Sequence, residues 1–500
     1  MKHKMKIIMK KHILTIFLFT LILSSCKDLT ELNINPNNVP ETHPRLLLTD
    51  IEWNAFQIEG VDPLFASRMA VQTDGEDANQ YYKWTRSDFG AYNQHRNVTK
   101  MIEEAERIES PVYVALGKFF RAYYFLGMTL TFGDIPYNDA LKGETSEIYT
   151  PAYNTQKDVF KGILKELAEA DAILAEDNSI IAGDIIYNGS SEKWRKCVNS
   201  YRLKVLMMLS EKVADSDLNV ATSFASVYNN SPLIESNTES GQLMFIDELG
   251  SRYTEYNSSS YGSARYMDST FVKRLQDRKD PRLFIFCGQT RVAKESGLAI
   301  NDFAAYEGGD PIAPYNNVNL KAAKGLVSKI NLRYTTNPTT EPSVFMGYPE
   351  LQFILAEASL RGWINSSAKE HYENGVKASF GFYNSYATDY ALFVNEEAAE
   401  TYLAEPLVDF SKATDNDKKL ELIIMQKYFT SFLQGGWRMY LEHLRTGYPG
   451  FRTQEGVTAP LRWMYPTSEY QYNSENVKAA ITRQFGENND DTRKTPWWLQ

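Results

Sequence analysis

Apolar side chains recur at helical spacing through much of the chain. From Val112 to Leu130, the residues Leu116, Phe119, Phe120, Tyr123, Phe125, Leu126 and Leu130 wind an apolar stripe. Gly133-Asp134-Ile135-Pro136 should end that helix, with glycine as terminator and proline blocking continuation. Thr155 to Ala175 repeats the pattern with Val159, Ile163, Leu164, Leu167, Ala170 and Leu174, and Trp194 to Leu209 forms a third helix behind a Ser190-Ser191-Glu192 start. Later, Pro349 to Gly362 and Ser367 to Phe380 predict a helix pair. Ala356, Ala358 and Gly362 on one helix, and Ala368, Gly375 and Ala378 on the other, allow close packing against aromatics such as Tyr372. Lys418 to Phe432 and Trp437 to Leu444 predict a further pair. Helix pairs with small residues facing aromatics are the physical content of a tetratricopeptide repeat. The predicted fold is therefore mostly α: irregular tetratricopeptide-like helical pairs with a less regular, loop-rich part that faces a ligand.

That irregular part spans about 234–340. It is rich in Gly, Asn, Ser and Tyr and weakly periodic, with short strand-like pieces such as Arg282 to Phe286. A long stretch without helices inside a compact protein is either disordered or functional, and its many aromatics argue against disorder. Asn79 to Gln94 reads as a smaller non-helical segment of the same kind.

The first residues read differently. Lys2, Lys4, Lys6, Lys10 and Lys11 precede an apolar run from Ile13 to Leu23, then Leu23-Ser24-Ser25-Cys26. A basic start, a short apolar run and small residues at a cleavage point make a secretory signal over 1–25. The run is too short for a spanning helix, which needs about 20 apolar residues. Leu-Ser-Ser-Cys resembles the bacterial lipobox, in which the cysteine is acylated, so Cys26 is the expected lipidation site. Acyl chains contribute about 0.8 kcal/mol per buried methylene. Residues 26–44 then form a polar tether, and 45–500 a single domain.

Composition narrows the function. The formal net charge is −10, and the five lysines before Cys26 make the remainder more acidic still. An acidic chain without a basic run argues against nucleic acid, whose phosphates need clustered Lys and Arg. With Cys26 assigned to lipid, Cys197 and Cys287 either pair, as an exported protein permits, or stay as buried thiols. No CxxC motif, HExxH, GxSxG elbow, P-loop or GxGxxG occurs, so no cofactor or metal is expected. Asp74, Glu76 and Asp77 do not fit a calcium-loop spacing. Carboxylates are plentiful, and none stands out as a glycosidase acid pair.

There are 31 Tyr, 26 Phe and 8 Trp. Tyrosine offers an apolar face with a polar tip, which suits sugar rings. Asn79, Tyr81, Tyr82, Trp84 and Tyr92 are the first candidate binding set, a stacking platform flanked by amide groups. Tyr253, Tyr256 and Tyr261, with Tyr266 beyond them, are the second. For both sets, rings packed on the scaffold are the plainer reading. Tyr123, Tyr124 and Phe125 are expected in the core, Arg121 and Glu357 as structural charges. Trp497-Trp498 either tucks against the domain or meets a partner.

A set of ordered motifs carries a family resemblance. Phe119-Phe120-Arg121-Ala122-Tyr123-Tyr124-Phe125 leads to Phe132-Gly133-Asp134-Ile135-Pro136-Tyr137, followed by Asp280-Pro281-Arg282-Leu283 and Ile354-Leu355-Ala356-Glu357-Ala358 with Arg361-Gly362-Trp363. Then come Gln426-Lys427-Tyr428, Phe432-Leu433-Gln434, Arg445-Thr446-Gly447-Tyr448-Pro449, Arg462, Tyr465-Pro466, Glu469, Asn473 and Asn476. From Cys26 to Asn476 the chain resembles the SusD/RagB outer-membrane nutrient-binding lipoproteins. It departs at Leu444, where the family often has Arg, and at Tyr440, where a Trp is common. The resemblance implies a lipoprotein over a TonB-dependent, SusC-like outer-membrane transporter, capturing a glycan or oligopeptide without catalysis. Two other readings remain at this point: a lipid-anchored glycosidase, and a tetratricopeptide-like scaffold that only contacts proteins.

Overall fold

The computed structural model describes residues 41–500 apart from Ser260 and Ser263. The leader, Cys26 and nearly all of the 26–44 tether lie outside the described residues. Pro44 already opens a helix, and 44–500 form one compact unit.

Helices stack in sequence order. Helix α1 (Pro44–Ala55) packs on α2 (Ala91–Arg107), and α2 on α3 (Pro111–Phe132). Helix α3 packs on α4 (Gln156–Glu176), and α4 on α5 (Ser191–Met208). The start signals act as read: Thr155 accepts the Asp158 N–H and Ser190 the Lys193 N–H, each satisfying a donor that the first helical turn leaves free. Gly133 ends α3 at φ +94, where a Cβ would lie 2.2 Å from the Gln484 amide oxygen. Only glycine suits both the angle and the contact. The second half holds the expected pair, α6 (Tyr348–Leu360) on α7 (Ala368–Tyr386). Gly375 is its contact point: a Cβ there would lie 2.5 Å from the Phe353 ring. Helix α8 (Asn416–Thr430) packs on α6 and leads to α9 (Arg438–Thr446). Among the described residues, no helix is long and apolar enough to cross a membrane.

The segment 234–340 is less irregular than its composition suggested. It contains helices at Ser269–Asp277, Arg291–Glu295 and Tyr315–Ala323. Arg282–Phe286 is a helical turn, not a strand. The Asp280 carboxylate accepts the Arg282 N–H at 3.0 Å and starts the turn. All five of its residues are buried, so no amphipathic stripe distinguishes the turn from a buried strand. Strands are few and short. The antiparallel pairs are β1 (Ala70–Gln72) with β5 (Arg265–Met267), β2 (Ile135–Pro136) with β3 (Tyr153–Asn154), and β4 (Gly241–Leu243) with β6 (Ser343–Met346).

Buried charge ties the elements together. Arg445 forms a bidentate pair with Glu357 at 2.6 and 2.7 Å and also reaches Glu442 at 2.6 Å. Lys427 holds the other oxygen of Glu442 at 2.5 Å. Arg121 pairs with Glu166 at 3.1 Å, so Arg121 and Glu357 both act within the scaffold. Cys197 and Cys287 are separate buried thiols. Trp498 is buried, its main-chain N–H on the Gln156 side-chain oxygen at 3.1 Å, so the last described residues tuck against the domain.

One buried carboxyl makes stability depend on pH. Glu52 of α1 is fully buried, and one of its oxygens accepts the Ile185 N–H at 2.7 Å. Burial, then the nearby Asp184 carboxylate, raises its pKa well above the usual 4.5. The folded state thus retains a proton that the unfolded chain loses first. Its contribution is complete below about pH 4.5 and is lost as pH rises through the folded-state value, at about 1.4 kcal/mol for each tenfold gain in proton affinity on folding. Thermal unfolding from about pH 5 to about pH 8 should show wild type falling relative to Glu52→Gln, which keeps the uncharged shape. Parallel curves would refute the assignment.

Candidate functional site

The two aromatic sets lie side by side. Strand β1 runs into the first and β5 closes the second, with Val71 opposite Tyr266 and the Thr73 N–H on the Ala264 carbonyl at 3.1 Å. Their rings, however, mostly turn inward. Tyr81 donates to the Ala313 carbonyl at 2.9 Å and Tyr82 to the Ala66 carbonyl at 2.8 Å, and both rings are buried. Tyr82 also stacks under the Arg68 guanidinium at 4.0 Å. Trp84 is buried among Tyr440 at 5.2 Å, Trp463 at 5.2 Å and Trp437 at 5.5 Å. Tyr92 lies on α2, not in a loop, half-buried with its hydroxyl on the Pro136 carbonyl. Tyr253 and Tyr261 are buried. Asn79, Tyr256 and Tyr266 keep partial exposure. The rings of Tyr81, Tyr82, Trp84, Tyr253 and Tyr261 are therefore packed on the scaffold, the plainer of the two readings of these sets. The hydroxyls of Tyr81 and Tyr82 are taken by main-chain carbonyls, which fixes those rings as packing.

An open aromatic surface lies next door. Trp437, which packs on Trp84, forms part of the wall of a cavity of about 400 Å³. That volume lies within the range of small-molecule sites, about 300–1,000 Å³. Its other walls come from the segment after α1, from α3, α5, β6 and the turn before α9. Phe56 stacks flat on Phe345 at 3.6 Å and meets Tyr123 edge-on at 5.4 Å. Tyr123 and Tyr124, expected in the core, line this space and are only half-buried. Their neighbour Phe125 is fully buried. Helical period alone does not separate a ring facing the core from one facing a cavity.

The inner end of the cavity is charged. Lys204 donates to Glu350 at 2.9 Å. Arg438 reaches Glu350 at 3.3 Å, the Phe345 carbonyl at 2.8 Å, the Val344 carbonyl at 3.0 Å and the Gly435 carbonyl at 2.9 Å, as well as the Gln434 carbonyl. These bonds fix the edge of β6 to the turn before α9. Burial, then the Arg438 charge, lowers the Lys204 pKa to about 8. Glu350 is pulled below the usual carboxylate range by Lys204 and Arg438, against the burial that opposes them. At the mouth, Glu59 lies against Gly436, where a Cβ would come 2.1 Å from its carboxylate. Glu59 is exposed as a residue, and desolvation of its carboxyl, opposed by the Arg438 charge, raises its pKa. The cavity thus sets aromatic faces beside an ammonium donor and carboxylate acceptors. Among the described residues, no group of His, Cys, Asp and Glu is placed to hold a metal ion.

Residues 36–466 match the family model of SusD-like proteins, described as starch-binding and associating with the outer membrane. A SusD homologue from Bacteroides fragilis is 53% identical, with TM-score 0.88 over 92% of this chain and all of that one. A second from the same organism is 31% identical, with TM-score 0.86 over 92% of this chain and all of that one. A chitin-binding SusD homologue from Flavobacterium johnsoniae, 21% identical, shares the fold with TM-score 0.72 over 92% of this chain and 99% of that one. No curated protein matches the chain.

Proposed function

This chain belongs to the SusD-like family of starch- and nutrient-binding proteins of the outer membrane, and on that premise we propose that it captures a glycan in its aromatic cavity and passes it to a TonB-dependent transporter. In this reading residues 1–25 are removed on export. Lipid on Cys26 and the tether up to residue 44 hold the domain on the outer face of the membrane. The observation that carries the ligand site is the convergence of Tyr123, Tyr124 and Trp437, backed by buried Phe56, with Lys204, Glu350 and Glu59 on one cavity. Aromatic faces suit the C–H faces of sugar rings, and the charged groups suit hydroxyls that both donate and accept. Asn79 and Tyr256, partly exposed on the neighbouring face, are proposed to extend the contact. Tyr81, Tyr82, Trp84, Tyr92, Tyr253 and Tyr261 would then support the site from behind.

The test is calorimetric titration of the full chain in detergent with malto-oligosaccharides, chito-oligosaccharides and oligopeptides, followed by product analysis. Starch is named in the family's description and chitin in that of a structural relative. Binding of a sugar series without turnover is the expected result. Binding of peptides alone would replace the glycan by a peptide ligand.

One observation favours a catalytic second reading: two carboxyls with oppositely shifted pKa values, Glu59 raised and Glu350 lowered, line the same cavity. Divergent carboxyls are what a glycosidase uses. Against it, Glu350 is already held by Lys204 and Arg438. Sugar cleavage that Glu59→Gln abolishes would establish the enzyme.

A further inference from the structure

We propose that Tyr149 and Tyr472 form a second carbohydrate contact, two surface rings that stack on a glycan chain away from the cavity. Among the described residues, these are the two aromatic side chains that stand mainly exposed, each at 77%. They are far apart in sequence, yet they meet at one junction. The Asn473 side-chain amide donates to the Pro151 carbonyl at 2.9 Å, and the Asn476 amide to the Thr150 carbonyl at 3.0 Å. Asn476 also donates to the Asn473 oxygen at 2.8 Å, and Tyr153 to Glu469 at 2.8 Å. The loop that carries Tyr149 is thus fastened to the end of the helix Thr467–Tyr472. The Tyr149 ring is also propped beside Gly143, where a Cβ would lie 3.3 Å from it. Rings presented from segments already fixed to each other leave little to order on binding.

The surroundings of the pair favour sugar over protein. No other large apolar side chain of segments 141–154 or 467–477 is exposed. A protein interface needs a contiguous apolar centre, and large exposed patches are what mark one. Here the exposed neighbours are hydroxyls and amides, among them Thr145, Ser146, Thr150 and Gln471. Isolated rings in a polar setting fit a sugar chain, whose C–H faces stack on the ring while its hydroxyls meet donors and acceptors at the rim. Neither tyrosine lines the cavity, so this contact stands or falls separately from the one proposed there.

The experiment offers the full chain in detergent granular starch and chitin particles, and titrates it in parallel with maltotetraose and chitotetraose. The variant Tyr149→Ala with Tyr472→Ala removes both rings from exposed positions, so its unfolding midpoint should match wild type. It should bind the short sugars as wild type does. Its affinity for the particles that hold wild type should fall tenfold or more, a difference of at least about 1.4 kcal/mol. Tyr149→Phe with Tyr472→Phe keeps the rings and should keep the particle binding. Particle binding by the alanine variant equal to wild type would overturn the proposal and leave cavity capture standing, as would loss of a co-purifying protein in place of the particles. Wild type that neither particle holds would overturn it too. Short sugars that fail to bind, beside particle binding that depends on the two rings, would sink the cavity reading alone.

Discussion

Gly127→Trp should abolish ligand capture while leaving the fold intact. Gly127 sits on the exposed rim of the cavity within α3, and a Cβ added there meets nothing within 4 Å. A side chain there starts in open space beside the cavity lining. Glycine inside a helix costs about 0.5–1 kcal/mol relative to alanine, so the substitution should raise helix stability slightly. Binding should weaken by about a hundredfold or more, equivalent to at least about 2.7 kcal/mol, with the unfolding midpoint at or above that of wild type. Gly127→Ala serves as the control that leaves the mouth open and binding in place. If Gly127→Trp binds as wild type does, the cavity is not the site, and the β1–β5 face with Asn79 and Tyr256 becomes the place to look.

The largest loss of stability is expected from Arg445→Ala. The Arg445 side chain is fully buried and makes two bonds to Glu357, two to Glu442 and one to the Ser210 hydroxyl. Burial would push both carboxyls up. Arg445 opposes this at Glu357, and Arg445 with Lys427 holds Glu442 down near about 2. Removing the guanidinium leaves Glu357 with Arg361 and Glu442 with Lys427 as their remaining ion pairs. Breaking a buried pair from one side costs about 3–5 kcal/mol, against a typical domain stability of about 5–15 kcal/mol. Arg445→Lys should recover only part of this, because an ammonium does not reproduce the bidentate fork. Urea unfolding measures both variants. A loss under about 1 kcal/mol, the range of an exposed pair, would mean that water reaches the network.

Much of the scaffold was legible from local chemistry. Thr155, Ser190 and Gly133 marked helix ends because unpaired main-chain groups there demand a cap. Gly375 marked a close helix crossing, now seen against Phe353. The misread pieces share one cause, which is that sequence pattern reports burial but not what does the burying. Arg282–Phe286 is covered on all sides and so lost its helical signature. Tyr81 and Tyr82 sit in a polar segment, yet their hydroxyls find carbonyls far away or around a turn. Tyr123 and Tyr124 sit in an apolar helix, yet face a cavity whose far walls come from residues about 80 to 310 positions later. Lys204, Glu350 and Arg438, which close that cavity, carry no sequence signal because nothing local brings them together.

The last stretch of the chain fastens onto residues made long before it. Arg462 donates to the Phe132 carbonyl at 3.1 Å, Tyr465 to the Asp134 carbonyl at 2.7 Å, Arg483 to the Asp134 carboxylate at 2.9 Å and the Trp498 main-chain N–H to the Gln156 side-chain oxygen at 3.1 Å. Contacts this distant in sequence form late, because their loop-closure entropy is paid before they give anything back. The latch at 462–498 thus sets an order of assembly: the helix stack of the first half forms from contacts near in sequence and gains these fastenings only when residues far along the chain arrive.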